Sequence, residues 1–244
     1  MRLLKWLLIF LSLPHVGLAL TLPSVRLSLE AAQGPEQMAT VLQILLLLTI
    51  LSVAPSLLLM VTSFTRLAVV FSLLRHALGT QQTPPTQVLV ALALFLTFFI
   101  MAPVFKEAYE NGVSPYLAGE IGDEELFRSA LKPFREFMFK NTREKDLALM
   151  IGLAGEKRPE TKEDVSTLTL IPAFMISELR SAFEIGFLLY IPFLIIDMVV
   201  ASVLLSMGMM MLPPVMVSLP LKILLFVLVD GWNLLIGSLV RSFF

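Results

Sequence analysis

A chain of 244 residues with 57% hydrophobic and 15% charged residues is too apolar for a soluble domain, which carries about 45–50% apolar and about 25% charged residues. Its net charge of −1 and the lack of a basic stripe argue against a nucleic-acid partner. Without cysteine there is no disulfide, thiol nucleophile or thiolate metal site, and the two histidines, His15 and His76, are too few for a triad or metal cage. No cofactor is expected, and the composition is that of an integral membrane protein.

Residues 1–19 read as a cleavable signal peptide. Arg2 and Lys5 form a basic start, Trp6–Leu13 is a short apolar core, and Gly17-Leu18-Ala19 is a small-x-small cleavage site. Residues 20–40, with Pro23, Gly34 and Pro35, read as an extracytoplasmic arm. Residues 41–105 are expected to form a first helical hairpin. Its first span is Val41–Val61, kinked at Pro55, with helix continuing through Thr65–Leu78 to a cap at Gly79. Arg66, Arg75 and His76 place that continuation and the Pro84-Pro85 turn on the cytoplasmic side. Val88–Phe105 is the second span.

Residues 106–165 hold most of the charges and are expected to be an extracytoplasmic helical region. Asp123-Glu124-Glu125 starts a helix there, since acids suit the positive end of the helix dipole. Phe127, Ala130, Phe134, Phe137 and Met138 give that helix a dry face. Glu156–Asp164 is a charged linker.

Residues 166–244 form a signature helix and a second hairpin. Pro172 is placed in a first helical turn ahead of Ala173–Leu189, and Pro192 restarts the run so that Phe193–Ser206 completes the third span. Glu178, Arg180 and Glu184 lie on Ala173–Leu189. At 100° per residue Arg180 and Glu184 share a face and Glu178 points nearly opposite, so this helix needs protein or water around it. Val215–Ile236 is the fourth span. The turn between the last two reads Met207-Gly208-Met209-Met210-Met211-Leu212-Pro213-Pro214. Methionine is flexible and polarisable, so this is either a soft lipid-contacting corner or, with several copies on one axis, a deformable seal. Asp197 and Lys222 lie at matching distances from the turn, about 14–15 Å by helical rise. They are expected to pair, within one hairpin or between copies. Asp230 is level with Tyr190, and a hydrogen bond between them is expected.

The stretch Pro172–Phe187, PAFMISELRSAFEIGF, is very similar to the signature of the FliP family of flagellar export-gate proteins, which has SctR counterparts in injectisomes. Thr65–Val70, Leu74-Arg75, Leu78-Gly79, Pro84-Pro85, the Met207–Pro214 turn and Pro220-Leu221-Lys222 resemble the family as well. The resemblance implies an all-α membrane protein with about four long kinked helices in two hairpins, in the inner membrane at the flagellar basal body. It implies five copies assembled with FliR and FliQ into a pore for unfolded flagellar proteins, much of it on the periplasmic side, with FlhA and FlhB as further partners. Glu178, Arg180 and Glu184 would then face other subunits. The gate maps onto Met209, Met210 and Met211, with Met207 flanking.

Three other classes compete with an export gate. A small-solute or ion transporter would show inverted repeats and polar midplane groups, and no repeat is found. A purely structural subunit is opposed only by the methionine turn. An intramembrane enzyme would need a base that Ser177 beside Glu178 lacks.

Overall fold

The computed structural model describes residues 35–80, 82–155, 159–209 and 211–244, and every regular element among them is helical. In order these are α1 Pro35–Met60, α2 Phe64–Ala77, α3 Thr86–Ala108, a π-helical turn Tyr109–Val113, α4 Ser114–Leu117, α5 Asp123–Asn141, α6 Glu144–Ala154, α7 Thr167–Ser206, α8 Pro214–Leu228 and α9 Gly231–Arg241. The expected signal peptide, most of the expected arm and Met210 lie outside the described residues. The chain divides between Leu48 and Thr49 into two units.

Helix α1 begins at Pro35, inside the segment read as an arm; a proline in the first turn loses no helical hydrogen bond. From Val41 to Met60 it is apolar on every side, the pattern of a helix surrounded by lipid. It does not run on into α2, because the chain turns at Val61–Ser63. Gly79 does end α2, with φ +79 and its N–H donating to the His76 carbonyl.

Leu67, Val70, Phe71 and Leu74 recur at helical spacing on α2 and are fully buried. They form the core with Ala93, Ile100 and Met101 of α3 and with Leu170, Phe174 and Ala182 of α7. At Gly186 α2 and α7 come so close that a Cβ would fall 2.2 Å from Leu73 Cδ1. On α5 the packed stripe begins at Ala130. Phe137 and Met138 are buried, whereas Phe127, read as part of the dry face, is 74% exposed.

Two expected helix boundaries are corrected. α7 is one helix of 40 residues that starts before Pro172 and passes through Pro192 without a break. The Ser166 hydroxyl caps it by accepting from the Leu168 N–H at 3.3 Å. A proline removes one helical hydrogen bond, and packing against α2, α5, α6 and α8 accompanies the helix across that loss. The fourth span is not one helix: α8 and α9 meet at 65°. Trp232 packs edge-on against Phe226 with ring centroids 5.4 Å apart, which turns Leu235 and Leu239 of α9 into the core. Three helical runs, Val41–Met60, Thr86–Leu117 and Thr167–Ser206, are long and apolar enough to cross a membrane, or four if α8 and α9 make one bent crossing.

The π-helical turn meets α5 through Gly112, where a Cβ would lie 2.9 Å from the Ala130 backbone nitrogen. Backbone cannot yield as a side-chain tip can. Gly112→Val is expected to destabilise the folded chain by about 1–3 kcal/mol, the scale of overpacking, read as an earlier thermal unfolding transition in detergent with faster proteolysis within α5.

Candidate functional site

The most buried charges lie where α2 crosses α7. Glu178 is fully buried and Arg66 nearly so. Arg66 Nε donates to Glu178 Oε2 at 3.0 Å and Nη2 donates to Oε1, a two-point pair. Arg66 Nη1 also donates to the Ser242 hydroxyl at 2.9 Å and the Ser242 carbonyl at 3.2 Å, and Nη2 to Asn141 Oδ1 at 3.4 Å. The Phe243 ring lies over the guanidinium at 3.8 Å. One arginine thus joins α2, α5, α7 and the residues after α9. Glu178 therefore does not face another subunit as the resemblance implied, because its carboxylate is enclosed within its own chain. Arg66, read as part of a cytoplasmic basic stretch, was missed as its partner. The signal was a cation flanked by apolar residues on a helix without an acid, which calls for an opposite charge. Spacing could not say which, since the two lie 112 positions apart.

Next to Glu178, Ser177 points toward α6. Its hydroxyl donates to Asp146 Oδ2 at 2.6 Å and accepts from the Arg143 backbone N–H at 3.1 Å. Arg143 Nη2 donates to the same carboxylate oxygen at 2.7 Å. Ser177 is thus a structural acceptor and donor. The Ser177 hydroxyl, and then the Arg143 guanidinium, hold the Asp146 carboxyl below the usual carboxylate range despite its burial. Arg180 and Glu184 lie outside this network on an exposed face, paired with each other at 2.7 Å.

In the second hairpin the structure brings Asp197 and Lys222 together within one chain. Lys222 Nζ donates to Asp197 Oδ2 at 2.6 Å and to the Ala77 carbonyl, in the last turn of α2, at 3.2 Å. The Ser218 hydroxyl donates to Asp197 Oδ1 at 2.5 Å. The last carbonyls of a helix lack intrahelical partners and favour a cation, so Lys222 ties α8 to both α7 and α2. By contrast, no hydrogen bond joins Asp230 to Tyr190 among the described residues. Asp230 instead takes a left-handed backbone, φ 52, and ends α8.

The methionine turn follows from helix-end chemistry. Gly208, at φ +76, donates to the Leu205 carbonyl, and the next N–H, of Met209, donates to the Leu204 carbonyl. This double bond pattern closes α7, and Pro213 and Pro214 start α8. Between them Met207, Met209 and Met211 are exposed, Met211 at 98%.

These features define a polytopic helical membrane protein that pairs most of its apolar-segment charges internally and presents an apolar, methionine-rich tip. The chain belongs to the FliP family, which matches residues 47–239, a range that takes in the Pro172–Phe187 stretch and the methionine turn. It is 54% identical over 217 residues to the flagellar biosynthetic protein FliP of Bacillus subtilis (strain 168), covering 89% of this chain and 98% of that one. The protein of the same name from Aquifex aeolicus (strain VF5) is 51% identical over 217 residues, 88% of this chain and 91% of that one. That of Rhizobium meliloti (strain 1021) is 54% identical over 199 residues, 81% of each chain.

Two measurements probe the charge networks. Arg66→Ala or Glu178→Ala alone is expected to cost about 3–5 kcal/mol by stranding a buried charge. Arg66→Met combined with Glu178→Leu should cost clearly less than the sum of the single changes in a detergent unfolding series. A depressed carboxylate stabilises the fold above its unfolded pKa, and that contribution is lost as pH falls through the folded value. The stability gap between the native chain and Ser177→Ala should therefore be full near neutral pH and close below about pH 4, the ordinary carboxylate range. A gap that stays constant with pH would show that Ser177 acts through packing alone.

Proposed function

We propose that this chain is a pore-forming core subunit of the flagellar type III export gate, sealed by its methionine turn. As a FliP-family member it is a component of the flagellar export apparatus. In the proposed assembly about five copies (the number implied by the family resemblance) join FliR and FliQ in the inner membrane beside FlhA and FlhB. Unfolded flagellar proteins pass along their common axis.

The observation that carries the reading is the methionine turn, exposed at the tip of the α7–α8 hairpin and closed by the Gly208 and Met209 backbone bonds. In the proposed assembly the exposed Met207, Met209 and Met211 meet their counterparts in other copies, with Met210 beside them in sequence. An apolar constriction excludes water and ions. Unbranched thioether side chains repack around whatever chain pushes through. A gate for many different substrates needs both properties, and a ring of branched or charged residues would supply only one or neither.

Helix length supports part of the chain lying outside the bilayer core, which this reading places on the periplasmic side. At 1.5 Å per residue the 40 residues of α7 extend about 60 Å, roughly twice a hydrocarbon core of about 30 Å. The exposed Arg180–Glu184 pair is then a contact between subunits, and Asp197–Lys222 fixes the register of the hairpin. The reading assigns no catalytic step to the chain. The sequence has no phosphate-binding loop, so energy is supplied by partners.

The test is ion leakage across membranes holding the assembled complex, with Met209, Met210 and Met211 changed together to Ala and complex size checked as unchanged. Leakage is expected to rise several-fold. A tight membrane with normal secretion would assign the turn a lipid-contacting role and leave the chain a structural subunit.

A further inference from the structure

The chain has no cysteine, so its oxidant-reactive sulfur is all thioether. The fold places the methionines in different settings. Met101 and Met138 are fully buried in the core, out of reach of a solute. Met198 is exposed on the flank of α7, an apolar helix long enough to cross a membrane, where lipid or a neighbouring helix covers it. Met207, Met209 and Met211 stand apart. They are exposed, and they lie after the end of α7 and before the start of α8, on a turn rather than on a spanning face.

Oxidation of methionine follows exposure. With hydrogen peroxide the step is direct. The sulfur lone pair attacks one peroxide oxygen, an S–O bond forms as the O–O bond breaks, and the departing hydroxide takes the proton of the transferred hydroxyl and leaves as water. Sulfur loses two electrons and the peroxide gains them. The product, methionine sulfoxide, carries a strong hydrogen-bond acceptor where an apolar tip stood. An apolar constriction holds back ions by staying dry, whereas a constriction lined with sulfoxides holds water. The backbone bonds that close the turn, from the Gly208 and Met209 N–H groups, do not use the thioethers. Oxidation therefore changes the surface of the turn and leaves the helical framework standing.

We propose that Met207, Met209 and Met211 are a modification site for oxidants of the peroxide class, and that their conversion to sulfoxides makes the export gate leak ions. This control rests on the turn being the seal: the gate is tight only while its thioethers are reduced. Methionine sulfoxide reductases reverse the change, the oxygen leaving as water while a dithiol is oxidised to a disulfide.

The test uses the assembled complex in vesicles of saturated phosphatidylcholine and phosphatidylglycerol, with protein-free vesicles as the control. Hydrogen peroxide is added, ion leakage is followed, and sulfoxide is mapped by mass spectrometry in the same samples. Sulfoxide is expected at the turn before it forms at Met198, with none at Met101 or Met138. Leakage should rise several-fold and fall back after treatment with the reductases for both sulfoxide epimers and dithiothreitol. With Met207, Met209, Met210 and Met211 all exchanged for Leu, the peroxide-induced rise should be lost, whatever the starting leakage. No sulfoxide at the turn, turn sulfoxide without added leakage, or the same rise in the Leu variant would each overturn the proposal. Exchange of Met209, Met210 and Met211 for Ala separates this from the seal itself. Where the Ala variant leaks and the oxidised native complex does not, the seal stands and the redox control falls; where neither leaks, both fall.

Discussion

The buried Arg66–Glu178 pair is the constraint on which the rest of this fold depends. Removing a guanidinium and a carboxylate from water costs several kcal/mol per ion, and mutual attraction repays that only when the remaining hydrogen-bonding capacity is met. Here it is met from elements far apart in sequence: Asn141 at the end of α5, the Ser242 hydroxyl and carbonyl after α9, and the Phe243 ring over the guanidinium face. The pair is tolerated only if α2, α5, α7 and the residues after α9 are all in place. It therefore selects one arrangement of helices whose apolar surfaces, taken alone, could pack in several ways.

The same logic repeats nearer the tip. Lys222 reaches Asp197 across the hairpin and the Ala77 carbonyl at the end of α2. Apolar helices in lipid lack a hydrophobic force that pulls them together, so polar contacts of this kind set their registry. The two centres lie at different levels of α2, Arg66 near its start and Ala77 at its end. Together they fix α2 lengthwise against α7, and Gly186 permits the close approach between the two helices.

Much of this architecture was legible from the sequence. The helical class, the apolar runs, the end of α2 at Gly79 and the acidic start of α5 all follow from periodicity and local chemistry. Arg180–Glu184 follows from the helical repeat, and Asp197 opposite Lys222 follows from equal distance to a turn. The misses share one cause, which is tertiary packing overriding a local rule. Pro192 removes a helical hydrogen bond, yet α7 continues through it with neighbours packed on several sides. Val215–Ile236 should continue as one helix, yet Phe226 and Trp232 bend it inward at Asp230. Glu178 was assigned to an interface by the family resemblance, and helical arithmetic, which places it opposite Arg180, does not say what lies on that side. Arg66 lies there, and only the fold could bring it.

The resulting distribution of stiffness follows from this chemistry. Along α7 the charges at Glu178 and Asp197 and the packing at Phe174, Ala182 and Phe193 hold the helix on its neighbours. Past Leu204, itself buried, no ion pair or side-chain hydrogen bond to another helix is found among the described residues of the turn, and backbone bonds through Gly208 close it. In the proposed gate, a turn carried on a helix that is held along its length is positioned by that helix and still deforms locally. If the turn were tied by side-chain contacts like those deeper in the hairpin, displacing it would disturb the Lys222 contact and, through Ala77, α2 as well. With the ties ending short of it, the methionines can move while the ionic framework stays intact.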